Sequence, residues 1–198
     1  RGITVHMLQT RVFSVDDATT ALVHSAAGGL DSLLVRAAKQ RGATVIATVG
    51  SPAKAAIARA AGADHVIVGR DADFAAAVHE LTGGAGVDVA YDGVGGTTLA
   101  KTLACVRPFG TVASFGEAGG PIPPLPVEDI GPQRSLMLAR PSVMRFMADR
   151  DAYVRAARAV VAAAQAPDPG PAYPLAEAAR AHCDLEAGAT TGAAVLIP

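Results

Sequence analysis

Five short apolar runs, separated by four segments with helical hydrophobic spacing, fill the stretch from Thr20 to Phe115. No other feature restricts the fold as much. The runs are Thr20–His24, Ala43–Thr48, His65–Val68, Val87–Tyr91 and Thr111–Phe115, and they lack the strict alternation of a half-exposed strand. The segments between them, Leu30–Arg41, Pro52–Ala61, Asp71–Leu81 and Thr97–Val106, repeat apolar residues at helical spacing. Gly42 and Gly62 close the first two, and Pro52 opens the second. Strands that are apolar on both faces and joined by helices make a parallel sheet covered on two sides. The expectation is an α/β, doubly wound parallel sheet.

Past Phe115 the regularity breaks. Glu117–Pro132 is rich in Gly and Pro and reads as an irregular excursion over the sheet, with Ser135–Ala139 a candidate sixth strand. Helices are expected at Val143–Asp149 and Ala152–Gln165, followed by the breaker Pro167-Asp168-Pro169-Gly170-Pro171. A helix at Ala176–Leu185 and a terminal strand at Ala194–Ile197 complete the pattern. With 198 residues in all, one α/β domain over 1–140 and a helical and β C-terminal appendage over 141–198 account for the length.

Composition removes several classes of function. Seventeen basic against eighteen acidic residues, no Trp and 4% aromatics leave neither a basic face nor a stacking platform for nucleic acid. Cys105 and Cys183 stand far apart, without CxxC spacing or a nearby His pair, so idle or buried thiols are expected rather than a disulfide scaffold or a metal site. No apolar run approaches the roughly 20 residues that cross a bilayer, and Arg1-Gly2-Ile3-Thr4 does not open a signal peptide. A soluble, cytoplasmic protein with no membrane partner is expected. No G-x-S-x-G, H-E-x-x-H or P-loop lysine pattern occurs.

Ala26-Ala27-Gly28-Gly29 lies between the first strand and its helix, where unpaired backbone N–H groups and the helix dipole favour a pyrophosphate. Against G-x-G-x-x-G the glycine positions fall on Ala26, Gly28 and Asp31, so only the middle glycine is in place. The strand-loop-helix setting still points to descent from a dinucleotide-binding fold. No acid ends the second strand to grip a ribose diol, which favours NADPH over NADH. Gly93, Ser114 and Gly116 close two further strands at their carboxyl ends, where such sheets bind ligands, although glycines there also serve simple turns. His24 beside the loop is a candidate general acid or base, or a structural histidine satisfied by its neighbours. Tyr91, Asp92 and Glu117 are further candidates for proton transfer in a repurposed pocket. Met137, Met144, Phe146 and Met147 read as core or dimer interface.

Four stretches carry a family likeness: Val23-His24-Ser25-Ala26-Ala27-Gly28-Gly29, Gly42 to Ser51, Gly62 to Ile67, and Gly86-Val87-Asp88-Val89-Ala90-Tyr91-Asp92-Gly93-Val94-Gly95. Ser114-Phe115-Gly116, Arg140-Pro141-Ser142, Tyr173-Pro174-Leu175 and the ending from Thr191-Gly192 to Pro198 extend it over nearly the whole chain. The sequence resembles the zeta-crystallin-type NADPH:quinone oxidoreductases of the medium-chain dehydrogenase/reductase superfamily. The resemblance implies a Rossmann domain, NADPH as cofactor, zinc-free hydride transfer to a small-molecule quinone or enone, and homodimers joined through the strand at 135–139. It makes Gly28, Gly29, Gly50, Ser51, Lys54, Gly93, Ser114 and Gly116 the cofactor-binding candidates, with Ser51 and Lys54 near the adenosine 2'-phosphate. Lys54 read alone is equally a solvated charge.

Three departures fall on the cofactor groove. Asp31 replaces the loop's third glycine, and two like charges about 4 Å apart at an effective dielectric of about 20 repel by about 4 kcal/mol, on the order of a thousandfold in affinity. The family's tyrosine after the third strand is Gly69 here, with only Arg70 nearby, and an arginine before the C-terminal Ala-Thr pair is Gly188. The sequence opens at the helix preceding the Rossmann unit, without the family's N-terminal substrate domain, so the nicotinamide pocket is expected to face water. NADPH-dependent reduction is the leading expectation. A cofactor-independent cyclase, isomerase or lyase acting on a natural-product intermediate in the vacated cleft is the alternative, followed by a non-catalytic dimeric interaction module.

Overall fold

A computed structural model of the chain describes residues 1–163 and 169–198. Its sheet has six parallel strands in the order β3-β2-β1-β4-β5-β6: β1 Thr20–Val23, β2 Thr44–Val49, β3 His65–Val68, β4 Val87–Asp92, β5 Val106–Ser114 and β6 Met137–Ala139. This is the doubly wound Rossmann order, and the strand order reverses between β1 and β4, where ligands of such folds bind.

Burial along β1 and β2 explains the arrangement. Ala21, Val23, Val45, Ala47 and Val49 enter one core cluster, while Leu22 and Ile46 enter the other, so neither face of these strands meets water. The first cluster is roofed by α1 Gly2–Met7, a π-helical turn Leu8–Val12, α2 Asp31–Gln40 and α3 Pro52–Ala60. Leu33, Leu34, Val35 and Ala38 of α2 are buried in it; truncating Leu34 to Ala would cost about 2–5 kcal/mol. The second is covered by α4 Phe74–Leu81 and α5 Thr98–Ala104, with Ile122, Leu125 and Ile130 of the irregular excursion packed beside them. Asp88 fastens three neighbouring strands: its carboxylate accepts from the Thr20 amide at 2.6 Å and from Arg107 Nε at 2.6 Å.

The remaining elements are α6 Val143–Met147, α7 Arg150–Ala162, β7 Pro169–Pro174, α8 Ala178–Glu186 and β8 Ala193–Ile197. β7 and β8 pair in parallel as a separate two-stranded sheet, and a bridge between Gly28 and Gly192 ties the segment before β8 to the glycine loop. Three expectations need correction. The proline-rich breaker is a strand from Pro169 onward, and Gln165, Pro167 and Asp168 lie outside the described residues. β5 begins at Val106 rather than Thr111, because Phe109 at φ 61° turns the chain without ending the ladder. The sixth strand spans only Met137–Ala139, since Ser135 sits at φ 49°.

Candidate functional site

The loops after β1, β2, β4 and β5 lie at the carboxyl edge of the sheet and carry Gly28, Gly29, Gly50, Ser51, Gly93 and Gly116, while Ser114 ends β5 and Lys54 lies in the first turn of α3. Close backbone approach explains the glycines there. A Cβ on Gly116 would stand 2.5 Å from the Gly93 carbonyl oxygen, and one on Gly93 would stand 2.9 Å from the Phe115 ring. Gly50 and Ser51 follow β2, with Ser51 at the N-cap position of α3 and Pro52 in its first turn.

At the β2 end two cations converge. Lys54 Nζ donates to the Gly188 carbonyl at 2.8 Å. The Arg70 side chain runs over Gly50, its Cγ and Nε each 3.4 Å from where a Cβ would stand, and reaches Gly188. There Arg70 Nη2 lies 2.9 Å, and Lys54 Nζ 3.9 Å, from the point a Gly188 Cβ would occupy. Arg70 thus brings a guanidinium to Gly188, the position where the resemblance implies an arginine. Neither cation has an ion-pair partner among the described residues.

At the β1 end the glycine loop is covered by acid. Asp31 opens α2, and its Oδ2 lies 2.7 Å from the position of a Gly28 Cβ, its Oδ1 3.7 Å from that of Gly93. Asp31 is half-buried. Burial pushes its pKa up to about 7, against the lowering effects of its own backbone amide and the Arg1 guanidinium and with a further rise from Asp92. Arg1 flanks the same loop, with Nη1 2.7 Å from a Gly29 Cβ position.

Three of the four candidates for proton transfer, His24, Asp92 and Glu117, have other partners, while the buried Tyr91 hydroxyl has none among the described residues. His24 is buried, with Nδ1 3.0 Å from Thr48 Oγ1 and Nε2 2.9 Å from Thr102 Oγ1. The single Thr102 proton goes to Asp92 Oδ2 at 3.2 Å or the Thr98 carbonyl at 2.9 Å, so His24 donates through Nε2 and accepts at Nδ1. Desolvation lowers its pKa to about 4 against the pull of Asp92, which keeps the ring neutral. Asp92 is fully buried and accepts from the amides of Val94 at 2.8 Å and Gly95 at 2.9 Å, shaping the turn that holds Gly93. Tyr91 is fully buried, and burial raises its phenol well above the usual range. Glu117 is exposed and paired with Arg140 at 2.6 Å. Arg140 also donates to Ser114 Oγ at 3.1 Å and so joins the ends of β5 and β6; as a site residue it was visible beforehand only as part of Arg140-Pro141-Ser142.

No group of three His, Cys, Asp or Glu side chains that could hold a metal occurs among the described residues. Cys105 is buried and Cys183 exposed, both free. Among the described residues no helix is long and apolar enough to cross a membrane.

Comparison with known proteins shows the family. A 2-haloacrylate reductase from a Burkholderia species is 38% identical over the whole chain, which covers 61% of that protein. Quinone oxidoreductase 1 of Escherichia coli K12 is 34% identical, again over the whole chain and 62% of the relative. The chain thus spans about three-fifths of the length of these relatives. Mycobacterial Rv1454c, solved in complex with NADPH, superimposes with a TM-score of 0.94 at 41% identity over 100% of this chain and 63% of its own. The Escherichia coli quinone oxidoreductase complexed with NADPH gives a TM-score of 0.92 at 34% identity over 100% of this chain and 62% of its own. The family model described as zinc-binding dehydrogenase matches residues 29–162. With two-thirds of its length under that model and its full length matched by quinone oxidoreductases, the chain belongs to the zinc-binding dehydrogenase family, as a quinone-oxidoreductase-like member of the medium-chain dehydrogenase/reductase superfamily.

Proposed function

We propose that this chain binds NADPH along the edge formed by Gly28, Gly50, Gly93 and Gly116, and serves the reduction of a quinone or another conjugated electrophile by the whole protein. The observation that carries the reading is the convergence of Lys54 and Arg70 at Gly188, two cations without carboxylate partners among the described residues, beside a β2 end that carries no acid. A 2'-phosphate fits such a pair, and a ribose diol has nothing there to bind. Bound NADPH supplies a hydride. The protein's part is to hold the cofactor by its phosphates and to present open backbone at Gly93 and Gly116, where larger residues would collide with neighbours.

Asp31 sets the condition on that fit. As a neutral acid it is compatible with a pyrophosphate at the α2 N-terminus; as a carboxylate it opposes one. Because its pKa is about 7, the acid can take up a proton instead of enduring the repulsion, and that costs about 1.4 kcal/mol for each pH unit above 7. The penalty at pH 8 is therefore about tenfold, well below the thousandfold expected for a fixed charge. Calorimetric titration with NADPH and NADH tests the reading. NADPH should bind more tightly than NADH, and Arg70→Ala should erase much of the difference; equal affinities for the two in the parent chain would overturn it. A homodimer along β6, where Met137 is half exposed, is part of the same proposal, and sedimentation at the mass of a single 19.9 kDa chain would exclude it.

A further inference from the structure

Away from the glycine loops, a cavity of about 550 Å³ opens between the π-helical turn after α1 and the corner formed by α6 and α7. None of its walls belongs to the loops after β1, β2, β4 or β5. Its apolar lining comes from Met7, Val12 and Phe146, which also contact the core beneath α1. Three arginines line it as well, Arg11 from the turn, Arg145 from α6 and Arg155 from α7. All three are exposed, and none forms a side-chain hydrogen bond or ion pair among the described residues.

The other polar groups in the lining do not neutralise them. Asp149 is the single carboxylate there, and its Oδ1 already accepts from the amides of Asp151 at 3.1 Å and Ala152 at 3.0 Å as the N-cap of α7. His6 has its pKa lowered by burial and then by Arg41, so it stands neutral at pH 7 and adds hydrogen bonding without charge. The cavity therefore combines an apolar lining with an excess of two positive charges, in a volume typical of small-molecule sites.

We infer that this cavity binds an amphipathic organic anion, a carboxylate, sulfonate or phosphate monoester on an apolar body, at a site separate from the cofactor groove. Arginine forks suit the planar or tetrahedral oxyanion, and Met7, Val12 and Phe146 receive the body. The inference goes beyond the proposed reductase function and stands whether or not NADPH binds.

A matched pair of fluorescent probes tests it: 8-anilinonaphthalene-1-sulfonate and its neutral counterpart N-phenyl-1-naphthylamine, each titrated into the 198-residue chain. The sulfonate should bind saturably and at least about tenfold more tightly than the neutral probe. Arg145→Ala with Arg155→Ala should weaken the sulfonate by at least about tenfold, while Arg145→Lys with Arg155→Lys retains most of the binding. Saturating NADPH should not displace it. Equal affinity for the two probes, unchanged binding in the alanine pair, or displacement by NADPH would each overturn the inference. Amide shift mapping on the unsubstituted chain guards against a folding artefact. Perturbations centred on Thr10, Val12 and Phe146 support the site, and perturbations confined to the exposed apolar strand β8 sink it.

Discussion

The two ends of the proposed cofactor groove have met the same kind of loss in opposite ways. At the β2 end the sequence lacks a tyrosine and an arginine expected from the family likeness, yet Arg70 reaches across Gly50 and delivers a guanidinium to Gly188. At the β1 end Asp31 stands in place of a glycine, and nothing substitutes for the open backbone it covers. The difference is physical. A phosphate monoester is recognised by charge, and a long flexible side chain can bring charge from more than one position. A pyrophosphate on a helix N-terminus is recognised by bare amides, which no side chain can supply from elsewhere. The first end tolerates drift, while the second converts it into dependence on protonation.

Removing the acid should give the largest effect, on stability. In the folded chain Asp31 titrates near 7, against an ordinary value of 3.8, so between those pH values the native state holds a proton that the unfolded chain has released. Its contribution to stability falls as pH rises through that window and stays low above it. Asp31→Asn should therefore stabilise the chain at pH 8 by on the order of 2–3 kcal/mol, allowing for partial solvation and the lost charge–dipole attraction, and change little at pH 3. Urea denaturation at the two pH values reads this directly. An equal gain at both would show that the acid's ionisation is not what costs stability.

Cofactor affinity sharpens the same contrast. At pH 9 the protonation cost reaches about 2.7 kcal/mol, so Asp31→Gly should tighten NADPH binding about a hundredfold there, about tenfold at pH 8 and hardly at pH 6. The phosphate monoester titrates near pH 6 in both proteins, and the ratio of the two curves removes it. Next in size, Arg70→Ala should weaken NADPH by about tenfold and leave NADH within error, since a charge-assisted hydrogen bond to a phosphate contributes upward of about 1.5 kcal/mol. Calorimetry measures both, and an equal loss for the two cofactors would show that Arg70 supports the loop rather than the phosphate.

Burial decides how much of this was visible in the sequence. β1 and β2 are apolar on both faces, and that composition survives without knowledge of partners, so the parallel sheet and its carboxyl-edge glycines are legible directly. β7 was hidden because Pro169, Pro171 and Pro174 cannot donate to a ladder; its recorded pairing is to β8 alone, and prolines are tolerated on an edge. The start of β5 was masked by Pro108 and Gly110, turn residues that kink the strand at Phe109 without breaking it. The positions of His24 and Asp92 at the ends of β1 and β4 follow from the strand pattern, but their hydrogen bonds to Thr48, Thr102 and two amides depend on packing between β1, β2, β4 and α5. Position alone marks Asp31 in the sequence. Its raised pKa comes from desolvation, with a smaller rise from Asp92 and an opposing pull from Arg1, both distant in sequence.

The smallest expected effect is the most discriminating. If Arg70 has taken over from an arginine at 188, restoring that arginine should gain almost nothing while Arg70 is present. Gly188→Arg places a side chain at φ +68°, which costs about 1–2 kcal/mol in local backbone strain, and its Cβ would meet Arg70 Nη2 at 2.9 Å, forcing that guanidinium aside. NADPH affinity should then change by no more than about threefold in the parent chain. In the Arg70→Ala background the same change should recover most of the lost affinity, because the phosphate is again offered a guanidinium and no displaced neighbour opposes it. The coupling between the two substitutions is thus expected to be strongly non-additive. Additive effects would mean that the two positions serve different parts of the cofactor, and the β2 end would then be as unrepaired as the β1 end.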